Sequence, residues 1–137
     1  EAVAPSPNKV AHALARNFGW TIVPCGDTAL NLLGLSTQVP SQWVYVSDGA
    51  YKEYTFDNTT IKFKRTTNKE ISKVSYKTAL TIQALKALGK ENITEQVISR
   101  LKKILTDEEK EKMLAESKSA TSWVLELIKV ICKDEEK

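Results

Sequence analysis

The stretch Tyr76–Leu88 constrains the fold more than any other part of the chain. Ala79, Leu80, Ile82, Ala84, Leu85, Ala87 and Leu88 place apolar side chains around much of its girth. A helix of that kind is not satisfied by one packed face and has to be buried on more than one side. Gly89 stands where it would end. Whatever precedes and follows this helix must enclose it.

Short strand-like runs precede it. Trp43–Ser47 is rich in aromatic and β-branched residues, Tyr51–Phe56 continues in the same character, and Thr60–Lys64 alternates Ile61 and Phe63 with Lys62 and Lys64. Period-two alternation puts one face in a core and the other in solvent. Asp48-Gly49 predicts a tight hairpin turn on a glycine of positive φ, and Asp57-Asn58 predicts a second turn. Nearer the N-terminus, Ser6-Pro7 is a helix start, with Val10, Ala11, Leu14 and Phe18 at helical spacing and Gly19 as a stop. Trp20–Val23 reads as a strand closed by Pro24. Asp27 is placed to cap a short helix that ends at Gly34.

Helices follow. Thr94 caps a helix with a stripe of Val97, Ile98, Leu101, Ile104 and Leu105, and Thr106-Asp-Glu-Glu109 has the form of a capping box. The helix after that box has a thin apolar face, Met113 and Leu114, and is expected to be exposed. A last helix carries Val124, Leu127, Ile128 and Ile131. The predicted class is α+β: a small, mainly antiparallel sheet of three or four strands packed on the central helix, with additional C-terminal helices. The domain proper is expected over residues 9–133, behind a linker at 1–8 and ahead of a charged tail at 134–137.

Composition limits the function classes. No apolar run reaches the roughly 20 residues that a membrane-spanning helix needs, and the opening EAVAPSPN has neither the basic nor the apolar region of a signal peptide. A cytoplasmic location and no membrane partner are the expectation. Cys25 and Cys132 fit no metal or redox spacing and read as reduced thiols. His12, the one histidine, lies on an amphipathic helix with no partner motif and reads as a surface or edge residue. The sole methionine is Met113, which suggests a fragment or processed product.

The segment GDTALNLLGLSTQVP (Gly26–Pro40), followed by an aromatic-rich strand and Ser47-Asp48-Gly49, resembles the C-terminal domain of AbiEi-like antitoxins, a family of putative transcriptional regulators in type IV toxin–antitoxin systems. The resemblance runs from Val10 to Leu88. It implies a bacterial, non-catalytic domain that counteracts a nucleotidyltransferase-fold toxin and needs no cofactor. It also implies operator DNA as a partner, reached through a winged helix-turn-helix domain that would precede residue 1. Within the motif the turn residues Gly34, Ser36, Thr37 and Gln38 are candidate contact residues.

Charge marks a second candidate. Between Ala50 and Leu80 seven basic residues face three acidic ones, although the whole chain carries only +3. Lys62, Lys64, Arg65, Lys69 and Lys73 would form a patch that attracts phosphates or an acidic protein surface. The same lysines also fit a solvated strand face protected from edge pairing. An accessory DNA-binding role is therefore an alternative. A metal-dependent nuclease would have to draw on Asp48, Glu53 and Glu70 with Lys62 or Lys64, and no motif surrounds these acids. Tyr45, Tyr51 and Tyr54 could stack bases but more often form cross-strand packing pairs. No catalytic or metal-binding residue is expected. The pair of helices around Thr106 is too tightly spaced for a helix-turn-helix, and its second helix opens with acids that would repel phosphate.

Overall fold

The computed structural model describes residues 6–56, 58–66 and 74–133. Its elements are α1 (Pro7–Phe18), β1 (Ile22–Pro24), α2 (Gly26–Leu32), β2 (Gln42–Ser47), β3 (Lys52–Phe56), β4 (Thr59–Arg65), α3 (Tyr76–Leu88), α4 (Glu95–Ile104), α5 (Asp107–Glu116) and α6 (Ser122–Cys132). Short 3-10 turns cover Lys90–Asn92 and Ser117–Ser119. Among the described residues no helix is long and apolar enough to cross a membrane.

The class is the expected α+β. Four strands form one sheet in the order β1-β2-β4-β3. β1 runs antiparallel to β2, and β3 antiparallel to β4, but β2 and β4 are parallel neighbours. The hairpin expected across Asp48-Gly49 does not form, because β4 inserts between β2 and β3. Burial decides this order. Ile61 and Phe63 of β4 are fully buried, while Lys52, Glu53 and Thr55 of β3 are exposed. β4 seals both Ile61 and Phe63 from its inner position, and β3, with its exposed charged pair Lys52 and Glu53, forms the edge. Gly49 has no positive φ. The second turn does form: Phe56 pairs with Thr59, and Asn58 takes the left-handed conformation at φ 62°.

One sheet face carries Ile22, Trp43, Tyr45, Ile61 and Phe63 against Ala11 and Ala15 of α1. On the other face, Val23 and Val46 meet α2 and α3. α3 then lies between that layer and Leu101, Leu105, Met113, Val124, Ile128 and Ile131 of the C-terminal helices. Thr78, Ala79, Leu80, Thr81, Gln83, Ala84 and Leu85 of α3 are all buried, so the helix is enclosed as its sequence requires. Each large aliphatic or aromatic side chain sealed here contributes about 1.5–3 kcal/mol. α5 is less exposed than its thin apolar face suggested, since Met113 is wholly buried while Leu114 stays at the surface.

The caps follow the sequence closely. Ser6 accepts from the Lys9 amide, Thr94 from the Val97 amide, and Thr106 and Glu109 close a reciprocal capping box. α1 begins at Pro7, inside the stretch expected as linker. One expectation fails: Cys25, not Asp27, is the N-cap of α2, and Asp27 sits in the first turn. Thr28 takes a different task. Its buried hydroxyl accepts the Val44 amide at 2.8 Å, and Cys25 N–H donates to the Val44 carbonyl at 3.0 Å. These two bonds continue the β1 ladder past Pro24, which has no N–H to give.

Candidate functional site

The basic candidates sit on and after β4. Lys62 and Lys64 point to the sheet face opposite Ile61 and Phe63, beside Val44 and Val46 of β2. α2 packs on β2 and α3 on β1 at that face; among the described residues Lys64 is exposed and Lys62 half-buried on its β4 part. Lys62 is not a free cation. Its Nζ lies 3.5 Å from Glu53 Oε2, which also accepts a hydrogen bond from the Tyr51 hydroxyl at 2.9 Å. Lys64 is exposed and, among the described residues, makes no ion pair. Arg65 is exposed too but points to the other face, level with Ser47. Lys69, Lys73 and Glu70 lie outside the described residues. The patch seen in sequence thus reduces, where it is described, to Lys64 with Arg65 at the strand end and a neutralised Lys62 beside them.

The turn after α2 is held by its own hydrogen bonds. Leu35 and Ser36 amides donate to the Leu30 carbonyl. Ser36 Oγ accepts the Gln38 amide at 3.2 Å, and Asn31 Nδ2 donates to the Gln38 carbonyl at 2.9 Å. Ser36 and the Gln38 backbone are therefore turn-building groups, while Thr37 and Gln38 project their side chains outward. Asn31 does work that the sequence reading did not assign to it; an amide side chain in the last turn of a helix, ahead of an irregular loop, is the signal that could have found it. Gly34 has φ 73°, and a Cβ there would meet the Arg100 guanidinium. Gly34→Val should cost more than about 1 kcal/mol through left-handed strain alone. An unchanged melting temperature would show that this turn tolerates a side chain.

The half-buried polar cluster is elsewhere. His12 is a half-buried edge residue: its ring stands edge-on to Tyr45 at 6.0 Å and to Tyr76 at 5.8 Å. Tyr45 is fully buried and donates its hydroxyl to Asn8 Oδ1 at 2.8 Å. Burial, with Tyr76 and Cys25 nearby, pushes the Tyr45 hydroxyl far above its ordinary range and keeps it a donor. Burial also pushes the Cys25 thiol up, against the pull of Lys64, so the sulfur stays protonated and weakly nucleophilic. His12 is held below its ordinary value, first by burial and then by Arg16. The unfolded chain then binds more protons than the folded one as pH falls through 6.5, and stability must drop there. Thermal melting between pH 7.5 and 5 should show this loss, and His12→Phe should flatten it. Equal slopes in both proteins would assign the loss to other groups.

The two described acids weighed for metal chemistry, Asp48 and Glu53, have structural partners. Asp48 Oδ1 accepts the Thr21 amide at 2.9 Å, and Glu53 pairs with Lys62. Among the described residues no group of three or more His, Cys, Asp or Glu is placed to hold a metal ion.

No curated protein and no solved structure matches the chain. One family profile does, over residues 1–113, which span every strand and all helices up to most of α5. By that match the chain belongs to DUF6088, a family of unknown function.

Proposed function

We propose that this domain is the non-catalytic, toxin-counteracting part of an AbiEi-like antitoxin, and that its partner is a nucleotidyltransferase-fold toxin. Operator binding by an upstream winged helix-turn-helix domain would make the whole a transcriptional autoregulator. The observation that carries the reading is Lys64, which is exposed and makes no ion pair among the described residues, on the same sheet face as the Lys62–Glu53 pair. An enzyme that handles nucleotides through acidic metal ligands offers that surface a complementary charge. The thiol, phenol and carboxylates that would be candidates for chemistry have structural partners or are held in their unreactive forms.

The test reverses charge where the fold does not depend on it. Lys62→Glu is unsuitable, because it would set two carboxylates against each other. Lys64→Glu leaves the core untouched. Cells expressing the cognate toxin should lose at least about tenfold in colony recovery with this variant, through like-charge repulsion. Circular dichroism should stay unchanged. Full rescue by Lys64→Glu would remove this surface from neutralisation. The accessory DNA-binding alternative rests on the same lysine and separates by ligand: it requires duplex DNA to be bound at about 50 mM salt and released by Lys64→Glu, whereas the antitoxin reading requires that variant to lose toxin neutralisation with no change in DNA binding.

A further inference from the structure

At one end of the sheet, where β2 and β4 finish and β3 begins, an aromatic stack runs from the core out to the surface. Trp20 lies against Gly49, which is in contact with the indole ring system. Phe18 stacks on Trp20 with ring centroids 4.6 Å apart and planes 29° from parallel. Trp20 in turn meets Phe63 edge-on at 5.8 Å, so the stack is anchored in the core. Phe18 itself is 41% exposed. The Lys52 ammonium rests 5.5 Å from the Phe18 centroid and 6.0 Å from that of Tyr54. The register brings Arg65 to the same end of the sheet.

Exposed aromatic rings bordered by cations suit one class of partner better than another. An apolar protein surface seated on Phe18 would bury the Lys52 ammonium without a counter-charge, which is costly. A nucleic-acid strand brings a phosphate with every base. Rings with tracking cations are the means by which unpaired bases are held without sequence readout. The lysine that covers the ring is long and flexible, and can leave the ring for a phosphate while a base takes its place.

We propose that Phe18, backed by Trp20 and flanked by Lys52, is a stacking site for an unpaired nucleobase, with Lys52 and Arg65 meeting the adjoining phosphates. The ligand class is single-stranded nucleic acid, and the site is separate from the Lys64 face assigned above to the toxin.

Fluorescence anisotropy with labelled twelve-nucleotide oligo(dT) and oligo(U) tests this on the full chain. Phe18→Ala should weaken binding at least about tenfold, the effect of losing one stacked base. Lys52→Ala should weaken it and lower the slope of log affinity against log salt by about 0.7, one phosphate contact on a single strand. An abasic strand of equal length should bind the wild type no better than oligo(dT) binds Phe18→Ala. Absence of binding, an abasic strand bound as tightly as oligo(dT), a duplex bound as tightly as the single strand, or a Phe18→Ala protein indistinguishable from wild type would each overturn the proposal. Phe18→Ala should rescue toxin-expressing cells fully, so failure here and failure of the antitoxin reading are told apart.

Discussion

Gly49→Val should destabilise the protein by about 3 kcal/mol, the upper end of what overpacking a filled site costs. A Cβ at this position would overlap the indole of Trp20, and the ring cannot retreat because Phe18 and Phe63 pack against it. The backbone cannot yield easily either. The Gly49 amide donates to the buried Ser47 hydroxyl at 2.9 Å, and Asp48 is bonded to Thr21 through both its amide and its carboxylate. For a domain of this size the loss corresponds to a fall of roughly 10 °C in melting temperature. Chemical denaturation and near-ultraviolet circular dichroism would read it. Because the clash is with one ring, Gly49→Ala combined with Trp20→Leu should be less damaging than the sum of the single changes. Additive losses would show that the glycine matters for its backbone and not for the indole.

The second large effect is expected at Glu116→Ala. The N-terminus of α3 is not capped by its own Ser75 side chain. Glu116, at the end of α5, does this from a distance of 41 residues in sequence: its Oε1 accepts the Ser75 amide at 3.0 Å and the Ser75 hydroxyl at 2.9 Å. Burial alone would raise the Glu116 carboxyl. The bonds from Ser75 and Thr78, with Lys112 nearby, outweigh it and hold the group below the ordinary carboxylate range. Removing the carboxylate strands an amide and a hydroxyl, at a cost of about 2 kcal/mol for charge-assisted bonds. A carboxylate whose folded value is depressed stabilises above its unfolded value, and that contribution disappears as pH falls through the folded one. The gap in melting temperature between wild type and Glu116→Ala should therefore be full at pH 7 and close as the pH drops below about 4. A gap that persists unchanged into acid would mean that the side chain acts by packing and not by its charge.

Glu116 and Gly49 were both visible in the sequence, yet neither role was legible there. The sequence reading gave Gly49 to a hairpin, a sound inference from Asp-Gly between two strand-like runs. It failed because pairing partners are chosen by the whole sheet, and β4, whose Ile61 and Phe63 are wholly buried, takes the place beside β2. The basic patch was likewise read as one surface. Strand alternation sends Lys64 and Arg65 to opposite faces, and the Glu53 that neutralises Lys62 comes from the neighbouring strand. The sequence leaves His12 as a surface or edge residue because its own helix gives it no partner; Tyr45 and Tyr76 arrive from elements 33 and 64 residues away.

What the chain determined by itself is everything that depends on neighbours within about four residues. The Ser6, Thr94 and Thr106 caps, the glycine stops at 19 and 34, the Asn58 turn and the inward set Ile61 and Phe63 are local, because capping bonds, positive φ and strand alternation are closed within a turn or a pleat. The all-round apolar character of α3 likewise required enclosure on several sides, whatever the neighbours were. Only the tertiary structure decided which strand lies in the middle, which cation keeps its charge free, and which glycine faces a ring. Those outcomes depend on groups brought together across dozens of residues. They are settled by competition for buried area and by the cost of leaving a charge or a hydrogen-bonding group unpaired, and no local pattern encodes the winner.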